Sequence, residues 1–152
     1  MREFLIEAKK NTYASIGAAR TASTRSGSTD YHYESLIGGK KMVYHDTYFG
    51  GNSFIGEEIV YDKKPVWGMN YYGYLLSSDF VEVFDLVLRP ALMLVGTDKM
   101  VLPLRGPSKL TIGEYVYTFK TTGSLERFNG VERIYIKGKL VYELFCRGGT
   151  LI

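Results

Sequence analysis

The sequence predicts an α+β fold: a mainly antiparallel, curved sheet of about seven strands with two principal helices, in the order α-β-β-β-β-α-β-β-β. Three observations carry that expectation. The chain holds 13 Tyr, 8 Phe and 1 Trp, together with 17 Gly; glycine at about 11% exceeds the usual ~7%. Aromatic and glycine content of this kind favours strands closed by tight turns. Only two segments repeat apolar residues at helical spacing. Elsewhere strands follow strands across short glycine turns, which makes neighbours antiparallel and leaves the helices to cover one face. A dinucleotide-binding fold would alternate single strands with helices instead.

The first helix is expected over 3–18, where Phe4, Leu5, Ala8, Thr12 and Ile16 recur at three-to-four spacing, with Lys9 and Lys10 on the solvent side. A stretch without period, Thr21 to Thr29, then reads as a mobile loop. Strands follow at about 31–37, 41–49, 54–62 and 66–75, separated by Gly38-Gly39, Gly50-Gly51-Asn52 and Asp62-Lys63-Lys64-Pro65. Asp79 and Glu82 have the spacing of a capping box for a second helix, whose apolar face is Phe80, Val83, Phe84, Val87 and Leu88. Pro90 is expected to kink or restart that helix before Gly96. Residues 97–113 look irregular. Three strands close the chain at about 114–122, 125–137 and 139–147, with Gly123, Gly130 and Gly138 as punctuation and Lys137-Gly138 as a hairpin turn.

Length and charge narrow the class. At 152 residues the chain is expected to form a single domain, 1–152, and to bury roughly two-thirds of its unfolded surface without disulfides or metal. Composition excludes a disordered tail, a coiled coil and a collagen-like chain. No apolar run reaches membrane-spanning length and no signal-peptide core stands at the start, so no membrane partner is expected and the cytoplasm is the expected location. A net charge of +3, with the basic pairs Lys9-Lys10, Lys40-Lys41 and Lys63-Lys64 scattered, does not call for direct nucleic-acid binding.

The segment from Phe54 to Lys63 matches that from Phe128 to Lys137, with Phe, Gly, Glu, Tyr and Lys recurring at five of ten positions and a constant offset of 74. Either the chain is built of two duplicated α-β3 halves meeting at a cleft, or Phe-x-Gly-x-Glu is a turn leading into a strand that is used twice.

Few residues carry an obvious chemistry. His32 and His45 are the only histidines, and no Cys/His set has zinc spacing, so no metal or other cofactor is expected. Strand alternation sets Asp30, His32 and Glu34 on one face, and Tyr44, Asp46 and Tyr48 on one face, with His45 pointing away from Asp46. Glu57 and Glu58 face opposite ways. Arg25 sits in a Ser/Thr/Gly loop that could hold an anion, without a phosphate-loop motif. Cys146 reads as a small buried hydrophobe. The densest cluster runs from Pro65 to Tyr74; alternation places Trp67, Met69 and Tyr71 on one face and Asn70 and Tyr72 on the other. Aromatic walls with a few polar groups suit a small-molecule pocket, and they equally suit a core or a dimer face.

Several runs together resemble a bacterial domain family of unknown function: Thr12-Tyr13-Ala14, the loop Ser23 to Asp30, Tyr44 to Gly51, Phe54 to Glu58, Pro65 to Gly73, Phe128-x-Gly130-x-Glu132 and Gly148-Gly149. Members occur alone or behind an XRE-type helix-turn-helix regulator. The resemblance implies no activity and no catalytic residues. This chain departs from it at Arg25-Ser26-Gly27-Ser28, where Arg-Pro-Gly-Ser is usual. The first helix leaves no room for a helix-turn-helix here, so DNA contact is expected only through a separate protein. The expected function is a small-molecule-binding or sensory domain whose ligand contacts are Tyr44, Asp46, Tyr48, Glu58, Trp67, Asn70 and Tyr72, with Glu132 as the repeat counterpart of Glu58. The alternatives are a hydrolase or isomerase working through Asp46 and Glu58 with His32 or His45, and a structural module forming a homodimer.

Overall fold

A computed structural model describes residues 1–152. Eight strands form one antiparallel sheet in the spatial order β1-β2-β3-β4-β8-β7-β6-β5. In chain order these are β1 (Thr29–Ile37), β2 (Lys40–Gly50), β3 (Ser53–Asp62), β4 (Lys64–Leu75), β5 (Lys109–Ile112), β6 (Tyr115–Ser124), β7 (Arg127–Ile136) and β8 (Lys139–Thr150). The α+β class, the antiparallel pairing and two helical segments are as the sequence predicts. The strand beyond the expected seven is β5: four residues of Lys-Leu-Thr-Ile, hidden in sequence by the flanking Pro107 and Gly113, pair with β6 at the sheet edge. Gly130, expected to punctuate, lies within β7 opposite Cys146.

Turn chemistry sets the registers. Gly38 and Gly39 both have positive φ, 57° and 78°, the geometry of a two-residue turn whose twist matches the flanking strands. Lys137 and Gly138 repeat it at 49° and 78°.

The strand order is a palindrome. Each half is a four-stranded meander, and the halves join where β4 pairs with β8. The repeat is therefore α-β4 rather than α-β3. Irregularities sit at Val60/Tyr61 in one half and Ile134/Tyr135 in the other, and the two positive-φ lysines, Lys63 and Lys137, again lie 74 apart. One apolar cluster takes residues from both halves and both helical segments, so the halves share a core.

The helices depart most from expectation. Helix α1 spans Arg2–Lys10 and buries Phe4, Leu5, Ala8 and Lys9. The residues after it form turns, and Ile16 is exposed. Lys9 faces inward because a buried carboxylate, Glu58, awaits it. The second helical segment is broken into a 3₁₀ turn (Ser78–Phe80), a π-helical turn (Phe84–Leu88) and α2 (Arg89–Met93). Its N-cap is Ser77, whose hydroxyl accepts from the Asp79 backbone N–H at 3.2 Å, in place of the Asp79/Glu82 box. Pro90 has no N–H and its ring would strike the Leu86 carbonyl; the widened turn before it removes that conflict. No helix is long and apolar enough to cross a membrane.

Candidate functional site

Both Phe-x-Gly-x-Glu motifs place their three named residues on the sheet face that the helices cover. Each ends in a fully buried glutamate, and a buried carboxylate requires a cation or several donors. In the second half Glu132 receives both. Arg105 donates through Nε at 3.1 and 3.2 Å and through Nη2 at 2.8 Å. Tyr117 and Tyr142 add hydroxyl donors at 2.6 and 2.9 Å. In the first half Glu58 is paired with Lys9, whose ammonium lies 5.7 Å from the Tyr44 ring centre. Burial, followed by the charges of Glu58 and Asp46, pushes the Tyr44 hydroxyl well above its ordinary range.

The halves then differ at two equivalent positions. Asp46 stands opposite Glu58 across β2 and β3, whereas Phe119 stands opposite Glu132 across β6 and β7. Tyr71 faces Gly56, whereas Cys146 faces Gly130. Gly56 is needed there, since a Cβ would come within 2.5 Å of the Tyr71 hydroxyl and 2.6 Å of the Thr47 carbonyl oxygen. Asp46 and Tyr71 meet, the phenol donating to Oδ1 at 2.7 Å. A polar pair in one half thus replaces an apolar pair in the other, on the same backbone.

That pair is electrostatically unfinished. Lys9 and Arg105 are already committed to Glu58 and Glu132, so Asp46 is a second buried acid without a cation of its own. Burial first, and the neighbouring Glu58 charge second, raise its carboxyl to about 7 against the Tyr71 hydrogen bond. Such a group changes protonation near neutrality, a property that concentrates at functional sites.

Asp46 and Tyr71 also line a cavity of about 310 Å³, in the size range of small-molecule sites. Tyr13, Tyr48 and Phe54 form aromatic walls, and Gly50-Gly51-Asn52 of the β2–β3 turn forms a rim. The π-helical turn supplies Phe84, Asp85 and Leu88, followed by Arg89. The Arg89 guanidinium lies 4.3 Å from the Tyr13 ring centre and donates from Nη1 to the Tyr13 carbonyl at 2.5 Å. Its Nε lies 3.0 Å from Asp85 Oδ1 but forms no aligned hydrogen bond. Burial pushes the Tyr13 phenol up to about 12, with Arg89 acting in the opposite direction.

The residues expected to touch a ligand divide. Asp46 and Tyr48 line the cavity. Tyr44 and Glu58 lie behind Asp46, around a small adjoining void. Trp67 is elsewhere, stacked on Phe128 at 5.6 Å with Nε1 donating to the Leu125 carbonyl at 2.9 Å. Asn70 and Tyr72 occupy the opposite, open face of the sheet, as alternation along β4 requires. Glu132 is sealed in its own network and is absent from the cavity wall. Sequence reasoning missed Tyr13, Phe54, Tyr71, Phe84, Arg89 and Arg105. The broken helical period around Pro90 was the one signal that could have marked Phe84 to Arg89, since π turns recur at functional sites.

The histidines do not join Asp46 or Glu58. His32 and His45 are cross-strand partners on the open face, where His32 approaches Glu34 at 3.4 Å and His45 approaches Asp30 at 3.5 Å. A histidine-assisted acid pair on Asp46 and Glu58 is therefore not formed. Arg25 pairs with Glu57 at 2.8 Å. The Ser/Thr loop expected to be mobile is fastened by Asp30, which accepts from Thr24 and Thr47 hydroxyls at 2.8 and 2.7 Å and from Ser28. Cys146 is buried, and burial pushes its thiol up to about 12.

A family model described as Domain of unknown function (DUF5680) matches residues 46–151. No curated protein and no solved structure matches the chain.

Proposed function

The chain belongs to the DUF5680 family, a domain of unknown function, and we propose that it is a small-molecule-binding domain with a sensory role, its ligand held in the cavity beside Asp46 and Tyr71. One observation carries this reading: the duplicated half keeps the same backbone with Phe119 and Cys146 in place of Asp46 and Tyr71. The fold does not need that polar pair, yet the first half retains it, buried and facing a cavity. A costly buried acid that the architecture can do without marks function rather than stability. The sensory part draws on the resemblance to domains carried behind XRE-type regulators.

Native mass spectrometry of gently purified protein tests it. A bound small molecule, released on denaturation, is expected, and Val81→Trp should abolish it. Val81 lies on the cavity rim and is exposed, so the indole blocks the opening without disturbing the core. A bare chain, or a bound mass that Val81→Trp leaves in place, overturns the reading. A bare dimer would favour a structural module joined through the open face, where Ile55, Tyr72 and Phe145 are exposed.

A second reading, proton-transfer chemistry of hydrolase or isomerase type, draws on the poise of Asp46 near neutral pH, where a general acid or base works best. It requires the bound molecule to change mass or isotope content over time, and Asp46→Asn to stop that change.

A further inference from the structure

The chemistry of the cavity wall narrows the ligand. This step rests on the binding reading above and goes beyond it. Two guanidiniums, Arg89 and Arg105, share the lining of the space with two carboxylates, Asp46 and Asp85. Arg105 is saturated by Glu132 along its Nε and Nη2 edge. Arg89 is not: Tyr13 holds its plane and takes Nη1, while Nε has only the unaligned approach of Asp85 at 3.0 Å. Asp85 is 78% exposed against 18% for Arg89, so its carboxylate is free to leave. A carboxylate already resting near this edge shows what the edge attracts. Phe54, Phe84 and Leu88 give the same cavity an apolar portion of its lining.

We propose that the cavity binds a small amphipathic monoanion, its carboxylate displacing Asp85 from the Nε edge of Arg89 and its apolar body packing on Phe54, Phe84 and Leu88. A guanidinium edge presents two parallel donors that match a carboxylate, a geometry that lysine lacks. Proton linkage supports the assignment. Asp46 is faced by Glu58 from β3, Tyr71 from β4, Lys9 from α1 and Arg105 from the loop before β5. Lys9 and Arg105 are already paired; Asp85 and Arg89 share the cavity from the π-helical turn and the residue after it, and Asp85, the carboxylate that the ligand displaces, is the more exposed of that pair. A ligand anion entering this space therefore disfavours the ionised form of Asp46, so binding brings proton uptake.

The test compares phenylacetate with its neutral isostere phenylacetamide and the cation phenethylamine, by isothermal calorimetry and by side-chain NMR of Tyr71 and Phe84. Phenylacetate is expected to bind at least ~10-fold more tightly than the amide. Its affinity should rise as pH falls from about 8 to about 6, with proton uptake visible in buffers of different ionisation enthalpy. Asp85→Asn removes the competitor at an exposed position and should tighten phenylacetate by ~3- to 10-fold, and Arg89→Lys should weaken it by ~10-fold or more. If the amide or amine binds equally well with Tyr71 and Phe84 shifted, the anion assignment falls and the binding reading stands. If Asp85→Asn leaves phenylacetate affinity unchanged, the proposed displacement is wrong. If none of the three perturbs Tyr71 or Phe84 at millimolar concentration, and no native ligand is found, both fall.

Discussion

Replacing Asp46 by Asn should flatten the dependence of stability on pH. Asp46 is 5% exposed, and burial with the Glu58 charge raises its carboxyl from 3.8 to about 7. Between those values the folded chain holds a proton that the unfolded chain has released. Unfolding then releases protons, so stability falls as pH rises through this window, by about 1.4 kcal/mol per pH unit at most. Over the roughly three units concerned, the loss is on the order of 4 kcal/mol, complete by about pH 7. Asn keeps the shape and can accept the Tyr71 hydroxyl at the position where Asp46 Oδ1 accepts it at 2.7 Å, while carrying no titratable proton. Asp30 does not confuse the measurement. Burial opposes its ionisation, but the hydrogen bonds from Ser28, Thr47 and Thr24 prevail and hold it at about 2. Its stabilising contribution is lost only below the Asp46 window. The assay is urea unfolding of both proteins at intervals from about pH 4 to pH 8, with the slope compared at each step. Wild type should lose stability from about pH 4 to about pH 7 and level off above it, whereas D46N should not, so the variant becomes the more stable protein above neutrality. Parallel curves would show that Asp46 is not the group taking up the proton, and the argument from its buried, cation-free setting would fail.

Two further outcomes follow from the second half and from the motif. Glu132→Gln leaves Arg105 buried without its counter-charge and should cost about 3–5 kcal/mol. Calorimetry should then show the melting temperature about 10 °C lower; a loss under about 1 kcal/mol would remove the structural role assigned to this pair. Gly56→Ala brings a Cβ within 2.6 Å of the Thr47 carbonyl oxygen and 2.5 Å of the Tyr71 hydroxyl. The backbone contact cannot swing aside, so destabilisation of about 1–3 kcal/mol is expected. The Asp46 carbon resonance should titrate at a changed pH as Tyr71 is displaced, and an unchanged titration would refute the coupling of the motif to the site.

Much of this site could be read in advance, and the misses have physical causes. Period-two alternation placed Tyr44, Asp46 and Tyr48 together and set Glu57 against Glu58, because a strand obeys that rule whatever it packs on. The same rule separates Asn70 and Tyr72 from Trp67, so grouping all three with Asp46 joined two faces of one sheet. Lys9 reads as solvated because helix amphipathicity treats lysine as polar, whereas its orientation is decided by Glu58, 49 residues away. Arg89 sits beyond a π-helical turn, and a period of 3.6 does not carry across that widening.

Local chemistry in the chain determined the strands, the two-glycine and Lys-Gly turns, and the repeated Phe-x-Gly-x-Glu, since these follow from backbone preferences and from patterns within a few residues. Tertiary structure alone decided that Lys9 and Arg105 each neutralise one of the two Phe-x-Gly-x-Glu glutamates. It also left Asp46 without a cation beside a cavity. Charge pairing and enclosed space depend on which distant segments meet, and no periodicity along the chain encodes that distance.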